Sequence, residues 1–282
     1  MQKDGAFSIL NLMIPSAGVP PTVKKNAALA RLALLTGEAA LDALGKEHVM
    51  IFGLGGVGSW CAEALVRSGV RILTIVDSDQ ICVTNINRQI QALPGTIGCY
   101  KADVLRQRLL EINPDCEVTA LRCAFTAENA QTFNFDQAAY VIDAIDSLSC
   151  KIALIETSIL AGKTLYSSMG MACKLDPTRL AVANIWNTHG CSLARLVRQE
   201  LRKRRFSGHF TTVYSTEKLP NRTEIVSACG NTLCLCPHNR DAATPDWCAS
   251  KKVINGSSVT VTAAAGMTLA SLVLQDVVKR YG

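Results

Sequence analysis

Residues 48–77 constrain the fold more tightly than any other stretch of the chain. His48-Val-Met-Ile-Phe52 is an apolar run of strand length that passes straight into Gly53-Leu-Gly-Gly-Val-Gly58-Ser59. Residues 60–68 then carry helical spacing and stop at Gly69, a residue that readily takes the left-handed backbone closing a helix. A second apolar run, Ile72-Leu-Thr-Ile-Val76, ends at Asp77. Strand, glycines, helix, strand is a βαβ unit, two parallel strands joined by a right-handed crossover. The glycines let the backbone turn tightly and approach an anion, and the helix that follows aims its first N–H groups there. Asp77 stands near the ~20-residue offset at which a carboxylate takes ribose hydroxyls. Gly53, Gly55, Gly56, Gly58 and Asp77 therefore predict a nucleotide site that admits NAD as readily as ATP. In the purely structural alternative the glycines serve close packing alone.

The alternation continues along the chain. Spacing predicts helices over 102–112 and 151–161, the latter capped by Gly162, and strands over 117–122, 140–145 and 164–168. The fold class expected is α/β: a Rossmann-like, mostly parallel sheet flanked by helices, with a C-terminal extension and a terminal helix. Aromatics are only 5% of a chain that is 49% apolar, so the core must rest on Ala, Val, Ile and Leu, a composition suited to strands covered on both faces. Residues 1–26, with Pro15, Gly18, Pro20 and Pro21, read as a loose leader, and 27–44 as a helix broken at Gly37. Residues 27–175 are expected to form the nucleotide-binding domain, and 176–282 a C-terminal, substrate-facing portion packed on the same sheet. In that portion a helix is expected over 193–204, a strand over 211–214, and loop over 218–250. A closing helix over 259–280 carries Ala263, Ala264, Ala265, Gly266 and Ala270, small residues suited to close packing.

Twelve cysteines in a chain of 282 residues argue against a disulfide scaffold, since a domain this large does not need one. Most are expected to act as small hydrophobes in a reducing cytoplasm. Asp4 beside Lys3 and the lack of a small-residue cleavage site argue against a secretory signal, and no window is expected to reach the ~20 apolar residues of a membrane span. Cys229, Cys234, Cys236 and Cys248, with His238 nearby, admit a metal or inert thiols, since no Cys-x-x-Cys pair occurs. The formal charge of +6 is concentrated: Arg195, Arg198, Arg202, Lys203, Arg204 and Arg205 face one acid, Glu200. Such a cluster either neutralises nucleic-acid phosphates or forms a solvated helix face.

Cations and carboxylates after the second strand narrow the nucleotide reading. Asp77-Ser-Asp79 is followed by Val83-Thr-Asn85-Ile-Asn87-Arg88-Gln89 and then by Lys101. An enzyme that cleaves a triphosphate must neutralise the leaving phosphates, which Arg88 and Lys101 can do, whereas a dehydrogenase leaves its pyrophosphate intact. Surface ion pairing is the alternative for each cation taken alone. Asp146 follows a later strand, where parallel sheets place ligands, and can hold Mg2+.

Gly53-x-Gly-Gly-x-Gly, Asp77-x-Asp79, Asn85-x-Asn87-Arg88-Gln89, Lys101 and Asp143-x-x-Asp146 together resemble the ubiquitin-activating/ThiF/MoeB superfamily, whose members activate carboxylates with ATP. The resemblance implies that Asp77 binds ribose with Asp79 and Asn85 beside it, that Arg88 and Lys101 bind phosphates, and that Asp146 binds magnesium. It also implies that Arg31 reaches the ATP site of a partner subunit in a homodimer. Longer matches are similar to the tRNA threonylcarbamoyladenosine dehydratases: Val57-Gly-Ser-Trp60, Cys82-Val-Thr-Asn-Ile-Asn-Arg-Gln-Ile90, Glu111-Ile-Asn-Pro114, Val141-Ile-Asp-Ala-Ile-Asp-Ser147 and Lys174-Leu-Asp-Pro-Thr-Arg179. That resemblance implies an anticodon stem-loop of tRNA as partner, with ATP activating a threonyl carboxylate for ring closure by the neighbouring carbamoyl group. The other readings are an adenylyltransferase for the C-terminus of a ubiquitin-like sulfur carrier, a nicotinamide oxidoreductase, and a nucleotide-binding scaffold partnered with a cysteine desulfurase.

Overall fold

The computed structural model describes residues 27–221 and 255–282. The leader at 1–26 and the cysteine group Cys229, Cys234, Cys236 and Cys248 lie outside the described residues. Helices α1 (Ala30–Thr36) and α2 (Glu38–Leu44) are separated at Gly37, whose φ of 78° no L side chain adopts readily. Then follow β1 (His48–Phe52), α3 (Gly58–Arg67), β2 (Ile72–Val76), α4 (Lys101–Ile112), β3 (Glu117–Leu121) and β4 (Tyr140–Asp143). The chain continues through α5 (Leu148–Leu160), β5 (Thr164–Ser168), β6 (Leu180–Asn184), α6 (Ser192–Lys203), β7 (Thr211–Ser215) and α7 (Val259–Tyr281).

The seven strands form one sheet in the order β3-β2-β1-β4-β5-β7-β6, parallel except for the edge strand β6, which runs antiparallel to β7. From β1 the chain winds outward to β2 and β3, then returns to place β4 on the other side of β1. That reversal opens a crevice beyond the carboxyl ends of β1 and β4, where open α/β sheets bind ligands.

Period-two alternation assigns each strand residue to one of two cores. Val49 and Ile51 of β1, Leu73 and Ile75 of β2, and Tyr140 and Ile142 of β4 face α2, α3, α4 and α7. Met50, Phe52, Val76, Val141 and Leu165 face α5 and α6. The first core is aliphatic, as the composition predicts. The second is not: Phe125, Phe133 and Phe135 close around Phe52 with ring centroids 5.1, 5.4 and 5.9 Å away. Few aromatics in the whole chain therefore did not mean few in each core.

The expectation that no window reaches membrane-spanning length needs correction. At 23 residues, α7 is long and apolar enough to cross a bilayer. Its Val261, Ala265, Leu269, Val273 and Val277 are instead buried in the first core. A Cβ on Gly266 would lie 2.4 Å from Val57 O and 2.9 Å from Cys61 N, so α7 meets the start of α3 backbone to backbone. The apolarity of α7 is thus the apolarity of a core helix.

Candidate nucleotide-binding site

The glycine loop is shaped by its neighbours. Gly53 has φ 88°, and a Cβ there would meet Ala144 O at 2.6 Å. A Cβ on Gly58 would lie 1.9 Å from Gly53 O, so this glycine allows α3 to begin directly above the end of β1. These two serve packing. A Cβ on Gly56 would also meet close neighbours, Thr262 of α7 at 3.1 Å and the Arg88 stem at 3.2 Å. Gly55 differs: the nearest atom to its notional Cβ is Gln89 Nε2 at 4.0 Å, so open space lies over its backbone. The loop is a cradle with its floor at Gly55, and the N-terminus of α3 adds the field that favours an anion.

Asp77, at the end of β2, fixes the loop from the side. Its Oδ2 accepts the Leu54 N–H at 2.6 Å and its Oδ1 accepts the Asp79 N–H at 2.8 Å. Burial pushes the Asp77 carboxyl above the usual carboxylate range, against the pull of the Lys101 ammonium. Lys101, the first residue of α4, is buried and donates to Asp79 Oδ2 at 2.6 Å, with Asp77 Oδ1 at 3.9 Å. Lys101 thus makes a buried ion pair with Asp79, not the surface pair that was its alternative.

Arg88 lies on the segment between β2 and α4, half-buried, its Nη1 donating to Thr84 O and Asn87 Oδ1, each at 2.8 Å. Burial draws its pKa down from the usual arginine value, while Cys82 and Asp146 act in the opposite sense. Asp146 is exposed, three residues beyond the end of β4, and its charge acts on Arg88 across the crevice. Asn85 is buried and builds the turn that carries Arg88: its Oδ1 accepts the Cys82 N–H at 3.0 Å, and its carbonyl accepts the Arg88 N–H at 3.0 Å.

The structure thus gathers Gly53, Gly55, Gly56, Gly58, Asp77, Asp79, Asn85, Arg88, Lys101 and Asp146 around one crevice. Arg31 stands apart. Leu29, just before α1, lies 3.0 Å from the notional Cβ of Gly69, beyond the C-terminal end of α3. Ten-residue α3 spans about 15 Å, so Arg31 sits toward the amino edge of the sheet, away from the loop of its own chain.

Residue types alone did not single out two amides. Gln89 and Gln91 are 5% and 1% exposed, and the Oε1 atom of each has no hydrogen-bond partner. Gln91 Nε2 donates to Leu54 O at 2.8 Å, and Gln89 Nε2 overlooks Gly55. Buried polar atoms left unpaired beside an open backbone cradle are what a polar ligand would satisfy. Gln89 was visible only as a letter of the Asn85–Gln89 motif, and for Gln91 the sequence held no signal.

Residues 27–280 match the ThiF family. A tRNA threonylcarbamoyladenosine dehydratase of Bacillus subtilis is 37% identical over 248 residues, 87% of this chain and 92% of the relative. The Escherichia coli protein of the same name is 41% identical over 170 residues, 60% of this chain and 63% of the relative. The crystal structure of E. coli tRNA N6-threonylcarbamoyladenosine dehydratase, TcdA, in complex with ATP superposes with a TM-score of 0.74 at 31% identity, covering 90% of this chain and 95% of that one. By family match and by relatives of this identity and coverage, the chain belongs to the ThiF family.

Proposed function

We propose that this chain is an ATP-dependent enzyme that cyclises threonylcarbamoyladenosine in the anticodon loop of tRNA, with net loss of one water. The observation that carries the reading is the open floor at Gly55, overlooked by Gln89, with Arg88 beside Gly56 and the buried Gln89 and Gln91 amide oxygens unpaired. The B. subtilis and E. coli relatives bear the name of this activity, and the E. coli protein was crystallised with ATP.

In this reading the loop N–H groups and the start of α3 receive phosphate oxygens, and Asp77 accepts the ribose hydroxyls. Arg88 exchanges its bonds to Thr84 O and Asn87 for phosphate oxygens, and Lys101 adds a second positive charge beside Asp79. The threonyl carboxylate attacks a phosphorus of ATP and displaces the remainder of the nucleotide chain, pyrophosphate for attack at the α-phosphorus or ADP for attack at the γ-phosphorus. Its activated carbonyl is then attacked by the neighbouring carbamoyl group, which gives up a proton. The carboxylate oxygen departs in the phosphate product, so the nucleoside loses the elements of one water. The attacking group is tethered beside the carbonyl, and such positioning supplies effective molarity without a protein nucleophile. In keeping with this, burial pushes the Cys61 thiol far up and the Cys116 thiol to about 11, which makes both poor nucleophiles.

Asp146 fits a magnesium site. A single exposed carboxylate suits an ion that keeps most of its waters and takes other ligands from phosphate oxygens, and the described residues contain no group of three or more His, Cys, Asp or Glu for an all-protein cage. When bound, magnesium withdraws charge from those oxygens. Arg31 acts on a second copy of the chain in a cytoplasmic homodimer: beside it α1 exposes Leu34 and Leu35 at 91% and 82%, an apolar surface for that copy.

Incubation with ATP, magnesium and tRNA carrying the linear nucleoside, followed by nucleoside mass spectrometry, tests the proposal. An ATP-dependent mass loss of one water is expected. Survival of the linear nucleoside at enzyme in excess over tRNA would refute it.

A further inference from the structure

The basic cluster seen in the sequence is not spread evenly around α6. Ala194, Val197 and Leu201 are fully buried against α5 and the second core. At 100° per residue, Arg195, Arg198 and Arg202 fall within one third of the helix circumference, along one flank of that buried stripe. The acids lie elsewhere: Glu200 is taken by Lys203 at 2.6 Å and Glu156 of α5 by Arg204 at 3.0 Å. None of the ion pairs among the described residues involves Arg195, Arg198, Arg202 or Arg205. Neutralised cations and unneutralised ones are therefore sorted to different sides of the helix.

The unneutralised flank has a firm base. The Arg202 guanidinium lies 5.6 Å from the centre of the Trp186 ring, and Trp186 is itself fixed by Nε1 donating to Gly208 O at 3.0 Å. Arg198 donates to Thr188 Oγ1. A planar cation stacked on an aromatic ring loses little freedom when it meets a phosphate, so the flank is partly organised in advance. From Arg195 to Arg202 the helix rises about 10.5 Å, a length over which a nucleic-acid duplex presents about six phosphate charges.

The orientation is also fixed. Gly190 lies against Thr216, just past the end of β7, and Leu193 against Gly170, just past the end of β5. The N-terminus of α6 therefore sits at the edge of the sheet that holds the glycine loop, and the helix descends toward the opposite edge before the chain enters β7. From Arg195 to Arg202 the flank leads away from the nucleotide crevice.

We propose that this flank, Arg195, Arg198 and Arg202, with Arg205 in the turn just beyond the helix, is the track for the phosphate backbone of the helical stem of the tRNA substrate, which extends from the crevice along α6. The assignment rests on the function proposed above for its partner but is tested separately from it. An Arg195→Gln/Arg202→Gln/Arg205→Gln triple variant spares Arg198 and its bond to Thr188, and a Lys46→Gln/Lys279→Gln variant controls for surface charge elsewhere. Unmodified tRNA is titrated by fluorescence anisotropy at several salt concentrations, and ATP binding is measured by calorimetry on the same preparations. The triple variant should bind tRNA at least tenfold more weakly, with a log–log salt slope shallower by about 2 to 3, at roughly 0.9 per lost duplex contact. ATP affinity should stay at the wild-type level, and the control should change little. Wild-type tRNA affinity and slope in the folded triple variant would overturn the assignment, as would a loss confined to acidic vesicles or acidic peptides. If the triple variant fails to fold, the single Arg195→Gln and Arg202→Gln variants are read by the same criteria, each lowering the slope by about 0.9. A wild-type enzyme that binds tRNA through this flank yet leaves the linear nucleoside intact would sink the proposed reaction and leave the surface standing.

Discussion

Replacing Lys151 tests how the carboxyl end of β4 is held. Asp143 and Lys151 are both fully buried, with Lys151 Nζ donating to Asp143 Oδ2 at 2.6 Å. Ser167 Oγ donates to the same oxygen at 2.5 Å, and the Ile145 N–H donates to Asp143 Oδ1 at 3.1 Å. Lys151 also donates to Ser168 O at 2.9 Å, tying α5 to β5. Removing the ammonium leaves an interior carboxylate with two donors and no counter-charge, and strips Ser168 O of its partner. Breaking a buried pair from one side costs about 3–5 kcal/mol, a large share of the ~5–15 kcal/mol that holds a typical domain together. Lys151→Met keeps most of the volume and isolates the charge effect, so about 3 kcal/mol is expected. Lys151→Ala adds a cavity and should cost more. The double variant Asp143→Asn/Lys151→Met removes both charges, and its stability should return to within about 1 kcal/mol of wild type. Urea unfolding with a shared m-value gives each difference, and at about 2–4 °C per kcal/mol the Lys151→Met melting point should fall by roughly 6–12 °C. A Lys151→Met cost below about 1 kcal/mol, or a double variant no better than the single, would refute the reasoning that these charges act as a compensated pair.

The glycine loop and its supports give further expected outcomes. Gly58→Ala forces a Cβ to 1.9 Å from Gly53 O and should destabilise the chain by more than about 3 kcal/mol, whereas Gly55→Ala fills open space and should melt near the wild-type temperature. By calorimetry Gly55→Ala should lose at least tenfold in ATP affinity, and normal ATP binding would contradict the cradle. Gly266→Ala presses α7 against Val57 O at 2.4 Å, so about 1–3 kcal/mol of stability should disappear together with part of the ATP affinity. Unchanged unfolding and ATP titrations would show that this contact relaxes freely. Burial would raise the Glu63 carboxyl pKa, but hydrogen bonds from Arg108 and Arg67 outweigh it and hold the pKa below the ordinary 4.5. A depressed folded value means the carboxylate stabilises fully above 4.5 and that this contribution fades as pH falls through the lower folded value. Glu63→Gln should therefore be less stable than wild type at pH 7 and lose less stability in acid; parallel melting curves from pH 7 to 3 would exclude the mechanism.

Local pattern made much of the fold legible and left the rest hidden for physical reasons. Strands β1 and β2 begin and end where their apolar runs do, because buried parallel strands leave a nearly uninterrupted signal. Helix ends shifted by up to three residues, and α3 begins inside the glycine motif at Gly58, since glycines obscure a helix start. Strand β6 was not anticipated: Leu180-Ala-Val-Ala-Asn184 is short, alanine-rich and incompletely buried at a sheet edge, so neither propensity nor alternation marks it. The site motifs came together as spaced, but their chemistry was unevenly visible. Asp143 and Asp146 look alike in sequence, yet one is buried against Lys151 and the other is exposed beside the crevice. No spacing rule reveals that Lys151, one turn into α5, points inward.

The central claim is that the crevice over Gly55 receives a triphosphate whose charge Arg88 and Lys101 absorb. A crystal structure of this chain with ATP measures it directly. The account predicts phosphate oxygens within about 3 Å of both cations, the Asp77 carboxylate on the ribose, and Arg88 released from Thr84 O. Phosphates lodged elsewhere, with Arg88 still on Thr84 and Asn87 and Lys101 paired to Asp79 alone, would contradict it.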